Sequence, residues 1–144
     1  MNNSTTLDYL VVANYAQIMD GMLNLIGGNF SDITRSGEDS TSALHNFSAA
    51  FSISIPWDSS NQLHSVTIRL ENLDGTKVLG EAKASFSIGR LPKVTEDSEQ
   101  HAIGVVQFSI IYPSPGYYQV KAIVDNGGDT RHWRFRVHDL GKEA

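Results

Sequence analysis

Side-chain polarity along this chain alternates with a period of two, and no other feature constrains the fold as much. Val66, Ile68 and Leu70 interleave with Ser65, Thr67, Arg69 and Glu71; Tyr118, Val120, Ala122 and Val124 with Gln119 and Lys121; Trp133, Phe135 and Val137 with His132, Arg134, Arg136 and His138. Successive side chains of an extended strand point to opposite faces, so each run describes a half-buried antiparallel strand. The same period, less cleanly, marks Phe47 to Ile55, Ala82 to Ile88 and Val106 to Tyr112. Two further strands are expected over Leu7 to Ala16 and Met22 to Ile33, around a connector at 17–21. That makes eight.

Turn chemistry separates them. Asp20-Gly21, Asp74-Gly75, Pro113-Ser114-Pro115-Gly116 and Asn126-Gly127-Gly128 supply residues suited to positive φ or to a preset turn. No twelve-residue window sustains an apolar i, i+3, i+4 stripe with helix caps, so little or no helix is expected. Gly27-Gly28 falls inside the second strand, where paired glycines read as a bulge or bend; no dinucleotide or phosphate-loop pattern accompanies them. The expected architecture is an all-β, two-sheet antiparallel β-sandwich of about eight strands, immunoglobulin-like or jelly-roll-like. It is expected to be one domain over 7–138, with flexible ends at 1–6 and 139–144.

A chain of 144 residues can bury roughly two thirds of its unfolded surface without staples. The absence of cysteine removes disulfides, thiolate metal sites and a cysteine nucleophile, and it suits a reducing cytoplasm. With 11 basic against 16 acidic residues the net charge is -5, which argues against nucleic acid and anionic membranes as partners. The first residues lack a basic leader followed by an apolar run, and no stretch has the length of a membrane helix. A cytoplasmic protein with no cofactor is the expectation.

Several segments together carry a resemblance. They are Leu7-Asp8-Tyr9 to Gly21; Leu25-Ile26-Gly27-Gly28; Pro56-Trp57-Asp58 with Asn61 and His64; Phe86-Ser87-Ile88-Gly89-Arg90 ahead of Pro92; Pro115-Gly116-Tyr117-Tyr118; and Trp133-Arg134-Phe135-Arg136-Val137. In order and spacing the chain resembles a family of bacterial proteins of about this size, a domain of unknown function. The resemblance spans almost the whole chain and implies an all-β bacterial protein. It implies no catalytic residue.

Catalytic chemistry finds little support in the spacing. There is no GxSxG elbow, and His45, His64, His101, His132 and His138 are scattered singly, as solvent-facing strand histidines are. Glu96-Asp97-Ser98-Glu99 pairs carboxylates in a polar loop, without the desolvated pocket that would raise the pKa of one of them. His132 and His138 share a strand face but lie roughly 20 Å apart, too far to share zinc. Asp125, Asn126 and Asp129 around two glycines offer oxygen ligands for calcium, and equally form a hairpin turn. The protein is expected not to be an enzyme and to hold no metal.

Two surfaces are candidates for binding. Arg134 and Arg136, with His132 on the same face and Arg131 beside it, form the densest positive feature of an acidic chain. They read either as a solvated strand blunted by charge or as a patch for an anion or an acidic partner. If every strand reverses the one before it, the connections sort into two rims. One rim gathers 17–21, 56–62, 90–100 and 126–130; the other gathers 35–42, 73–75 and 113–116. The first rim carries Trp57, Asp58, Asn61 and Arg90. Trp57 reads either as a stacking or anchoring ring or as a lid on the core, with Asp58 in an Asx turn. The leading expectation is a binding module for another protein or for itself as a homo-oligomer, through Trp57, Asp58, Asn61, Arg90, Arg134 and Arg136. The alternatives are a small-ligand or carbohydrate-binding domain and, after that, an enzyme whose cluster linear spacing does not show.

Overall fold

The structure, a computed structural model, describes residues 5–35, 43–89, 98–125 and 127–139. Among the described residues nine strands form two sheets. They are β1 (Thr6–Met19), β2 (Met22–Gly28), β3 (Asp32–Arg35), β4 (Leu44–Pro56), β5 (Leu63–Asn72), β6 (Val78–Ser87), β7 (Glu99–Ile111), β8 (Gly116–Val124) and β9 (Thr130–Asp139), with one 3-10 turn at Trp57–Ser59. Sheet A has the order β2-β1-β4-β7 and is antiparallel throughout; sheet B has the order β3-β9-β8-β5-β6. In sheet B, β3 runs parallel to β9, whereas β9, β8, β5 and β6 are antiparallel to one another.

The all-β sandwich stands, with nine strands for the eight expected and one parallel pairing in sheet B. The difference arises between Met22 and Ile33, expected as one strand. Gly27 and Asn29 adopt φ of 67° and 61°, and Asn29 N–H bonds Val12 O at 2.7 Å. The chain thus leaves sheet A at this bend and enters sheet B as β3. That crossing adds one reversal to the eight-strand reading, which shifts the alternation for β1 and β2 and corrects the sorting of loops. The Asp20-Gly21 turn lies at the opposite end of β1 from Thr6, which pairs with Ser54 close to the 57–62 connection. One rim therefore holds the start of β1, the 57–62 turn and the 125–129 turn; the β1–β2 tip is not among them.

The core lies between the sheets and is built by the expected alternation. Phe47, Ala49, Phe51, Ile53 and Ile55 of β4 face Val66, Ile68, Leu70, Val120, Ala122, Val124, Phe135 and Val137 of sheet B. Aromatic rings lock one half: Phe30 lies edge-on to Phe47 at 5.4 Å and to Phe135 at 5.3 Å, and Phe47 stacks on Phe108 at 5.1 Å. Trp133 points inward as expected and donates Nε1–H to Phe30 O at 2.7 Å. Because β4 is central, its other face is buried too, and it carries small residues there: Ser48, Ala50, Ser52 and Ser54. Thr5 and Asp139, which sequence reasoning left in flexible ends, are tied in through His64 and Arg35 respectively.

Candidate functional site

The rim around Trp57 is knitted together by its own polar groups. Pro56 ends β4, the chain makes one 3-10 turn, and Ser60 N–H and Oγ–H both bond Trp57 O, at 3.2 and 2.6 Å. Asn61 takes a left-handed φ of 59° and donates its N–H to Ile88 O. Trp57 is half-buried and Asp58 exposed. Behind this turn His64 is buried, in contrast to the solvent-facing position expected for a lone histidine. It shares the phase of Val66, Ile68 and Leu70 and so must point inward. Its Nε2 lies 2.7 Å from Ser59 O and its Nδ1 3.0 Å from Asp125 Oδ2 and 3.2 Å from Thr5 Oγ1. Burial disfavours the imidazolium, but the Ser59 carbonyl and the Asp125 carboxylate outweigh it and raise the pKa.

The turn weighed as a calcium loop uses its carboxylates on the protein itself. Asp125 Oδ1 receives Ser65 N–H, and Asp129 receives Leu7 N–H on one oxygen at 2.8 Å and Thr130 N–H on the other at 3.1 Å. Asn126 lies outside the described residues. Among the described residues no three His, Cys, Asp or Glu side chains converge as metal ligands.

One cluster was missed in the sequence. A bulge between Leu7 and Tyr9 turns Asp8 onto the outer face of sheet A, where its carboxylate accepts the hydroxyls of Ser52, at 2.6 Å, and of Ser54. His101 Nδ1 sits 2.8 Å from Asp8 Oδ2 and 3.1 Å from Ser54 Oγ, and Glu99 Oε1 lies 3.8 Å from Nε2. Partial burial raises the Asp8 pKa, but the three hydrogen bonds more than offset it and hold it below the ordinary value. The carboxylate is thus an acceptor hub joining β1, β4 and β7. Ser54 is buried and gives its proton to Asp8, which is not the geometry of a serine whose proton a histidine takes. The available clue was Ser52 and Ser54, polar residues in phase on a central strand.

Arg134 and Arg136 project together from the outer face of sheet B, as expected. The Arg136 guanidinium lies 6.0 Å from the ring centre of Tyr117, and Ser31, Leu73, Tyr117 and both arginines border a shallow depression. They are not near Trp57. Arg134 is opposite Gln119, which is opposite Glu71 near the end of β5, whereas Trp57 precedes the start of β5. At strand rise the two groups are roughly 25 Å apart. Arg90 lies outside the described residues.

The β1–β2 ribbon is the other departure from sequence reasoning. Beyond Ala13, β1 no longer pairs with β4. Ala16 is instead held by a closed circuit: Ala16 N–H donates to Ser48 Oγ, Ser48 Oγ–H to Gln107 Oε1, and Gln107 Nε2–H to Ala16 O, at 3.1, 2.7 and 3.2 Å. Past this anchor the ribbon exposes Tyr15, Ile18, Met19, Met22, Leu25 and Ile26. Leu23 and Leu25 border a second depression with Tyr9, Leu10, Val11 and Asn29.

The chain belongs to the family of unknown function DUF6941, whose model matches residues 8–138. No curated protein and no solved structure matches it.

Proposed function

We propose that this member of the family is a non-catalytic interaction module that contacts another protein through the β1–β2 ribbon. One observation carries the reading. Among the described residues, six of the twelve strongly exposed large apolar side chains fall between Tyr15 and Ile26. Contiguous exposed apolar surface is expensive in water and marks contact surfaces. The polar groups around His64 and Asp8 bond one another and so serve the scaffold. The net charge of -5 disfavours nucleic acid as the partner, and a cysteine-free chain fits the cytoplasm.

A photoreactive benzoylphenylalanine placed at Ile26 tests this against the same label at Lys83, exposed on the opposite sheet. Protein adducts at position 26 and not at position 83 are expected in cells of the host. Equal labelling at both positions would falsify the reading.

A second reading, a small-ligand site, draws on Tyr117. The residue is 56% exposed and its ring carries the Arg136 guanidinium beside it, an arrangement suited to a planar or anionic ligand. Loss of ligand-induced protection of Tyr117 in an Arg134→Ala, Arg136→Ala variant tests that alternative.

A further inference from the structure

We infer that the partner of the ribbon is a second copy of this chain, joined antiparallel along β2 about a two-fold axis through Asn24. The inference rests on the reading of the ribbon as the contact surface, and names what meets it. Among the described residues β2 is the last strand of sheet A, and no strand pairs with the outer side of its backbone, which presents N–H and C=O groups. Natural edges are blunted by charge, and three edges here carry one: β6 has Glu81 and Lys83, β7 has Glu99 at its start, and β3 has Asp32. β2, reading Met-Leu-Asn-Leu-Ile-Gly-Gly, carries none. Between residues 13 and 28 the one charge is Asp20, in the turn.

Charge then selects the kind of partner. A strand without Lys, Arg, Asp or Glu offers nothing to a partner recognised by counter-charge. For two copies that each carry -5, an uncharged edge is where close approach costs least.

Symmetry selects the same chain. A two-fold interface requires that if residue i meets residue j, then j meets i. The segment Met22-Leu23-Asn24-Leu25-Ile26 has the same chemistry read in either direction: apolar, leucine, asparagine, leucine, apolar. Antiparallel pairing about Asn24 sets Asn24 against Asn24 of the partner subunit, Leu23 against Leu25 of the partner subunit, and Met22 against Ile26 of the partner subunit. Met22, Asn24 and Ile26 share one face of the strand and Leu23 and Leu25 the other, so like meets like on both faces.

The register is bounded on both sides. Asp20 and Gly21 turn the chain with φ of 52° and 73°, and Gly27, at φ 67°, ends the extended run. Within residues 22–26, centring on Asn24 is the register that pairs all five positions. Two four-stranded sheets then become one of eight.

The absence of cysteine makes the test clean. Paired antiparallel residues have Cα atoms about 4.5–5.5 Å apart, within disulfide range. An Asn24→Cys variant is therefore expected to oxidise to a covalent dimer, while Lys83→Cys, with the same β2 interface, forms no covalent dimer. Light scattering on the unmodified protein is expected to give twice the 15.8 kDa chain mass. Asn24→Lys alone and Asn24→Asp alone, each with an unchanged circular dichroism spectrum, are expected to be monomeric, and their mixture to restore the dimer. A monomeric unmodified chain with no preferential Asn24→Cys crosslink overturns the inference. If the label at Ile26 captures a different protein, the contact surface stands and self-pairing falls; if it captures none, both fall.

Discussion

At the scale of single residues, the two histidines near the core work in opposite directions. His64 has acceptors at both ring nitrogens, Ser59 O and Asp125 Oδ2, and its pKa is raised. Its stabilising contribution is complete below about pH 6.5 and is lost as pH rises through the higher folded value. His45 is partly desolvated, which lowers its pKa, and its Nδ1 lies 2.7 Å from the Tyr112 hydroxyl. Its contribution is present above about pH 6.5 and is lost as pH falls through the lower folded value. The two partly cancel in the unmodified protein. A His64→Gln variant is therefore predicted to cost roughly 1–3 kcal/mol at low pH, from the groups left unpaired. The gap between its urea stability curve and that of the unmodified protein should narrow as pH rises above about 6.5. A gap that stays constant from acid to alkaline pH would mean that His64 is not held as an imidazolium. Both rings were legible in principle, since each shares the phase of core neighbours: His64 with Val66, His45 with Phe47. Their partners, Asp125 and Tyr112, are more than sixty positions away, so spacing along the chain does not reveal either pair.

At the scale of elements, β4 shows both why most of the fold was readable and where that stopped. Its inward residues, Ala49 apart, are large and its outward ones small, so period two survives although both faces are buried. The small outward residues leave room for what crosses them, the Asp8 carboxylate over Ser52 and Ser54 and the Ala16 backbone over Ser48. Neither crossing is visible in the sequence, because each joins residues more than thirty positions apart. β3 was unreadable for a different reason: four residues contain too few alternations to distinguish a strand from the tail of the one before. Opposite β4, Gly104 of β7 pairs with Phe51, and a Cβ at that glycine would sit 2.3 Å from the ring's Cζ. Gly104→Ala is accordingly predicted to lower stability by roughly 1–3 kcal/mol through overpacking. The double variant with Phe51→Leu, which shortens the obstructing ring, should lose less than the two single losses combined. Strict additivity in urea denaturation would place the strain elsewhere.

At the scale of the whole molecule, the six residues singled out in the sequence do not form one site: three sit at one rim, two on the far half of sheet B, and Arg90 lies outside the described residues. Strand phase predicts which face a residue takes but not which strands become neighbours, and the crossing at Gly27 to Asn29 redirects the chain between sheets. The far end of the sandwich depends on that crossing. Arg35, the last residue of β3, pairs with Asp139, the last of β9. Its Nε and Nη2 donate to the two carboxylate oxygens at 2.6 and 2.9 Å, and its Nη1 donates to Tyr112 O at 2.9 Å. Both side chains are buried, 4% and 7% exposed. This one contact joins the connection out of sheet A, the final strand of sheet B and the end of β7. Asp139→Asn leaves a buried guanidinium without its counter-charge and is predicted to cost about 3 kcal/mol. Replacing both partners, Arg35→Met with Asp139→Leu, removes the uncompensated charge together with the attraction, so stability should return to near that of the unmodified protein. If the pair acts as a clamp between elements, amide exchange in β3 should accelerate in the single variant and recover in the double. A single variant as stable as the parent, with β3 amides equally protected, would show instead that the apolar contacts of Ile33 and Phe30 hold the parallel strand in place without the ion pair.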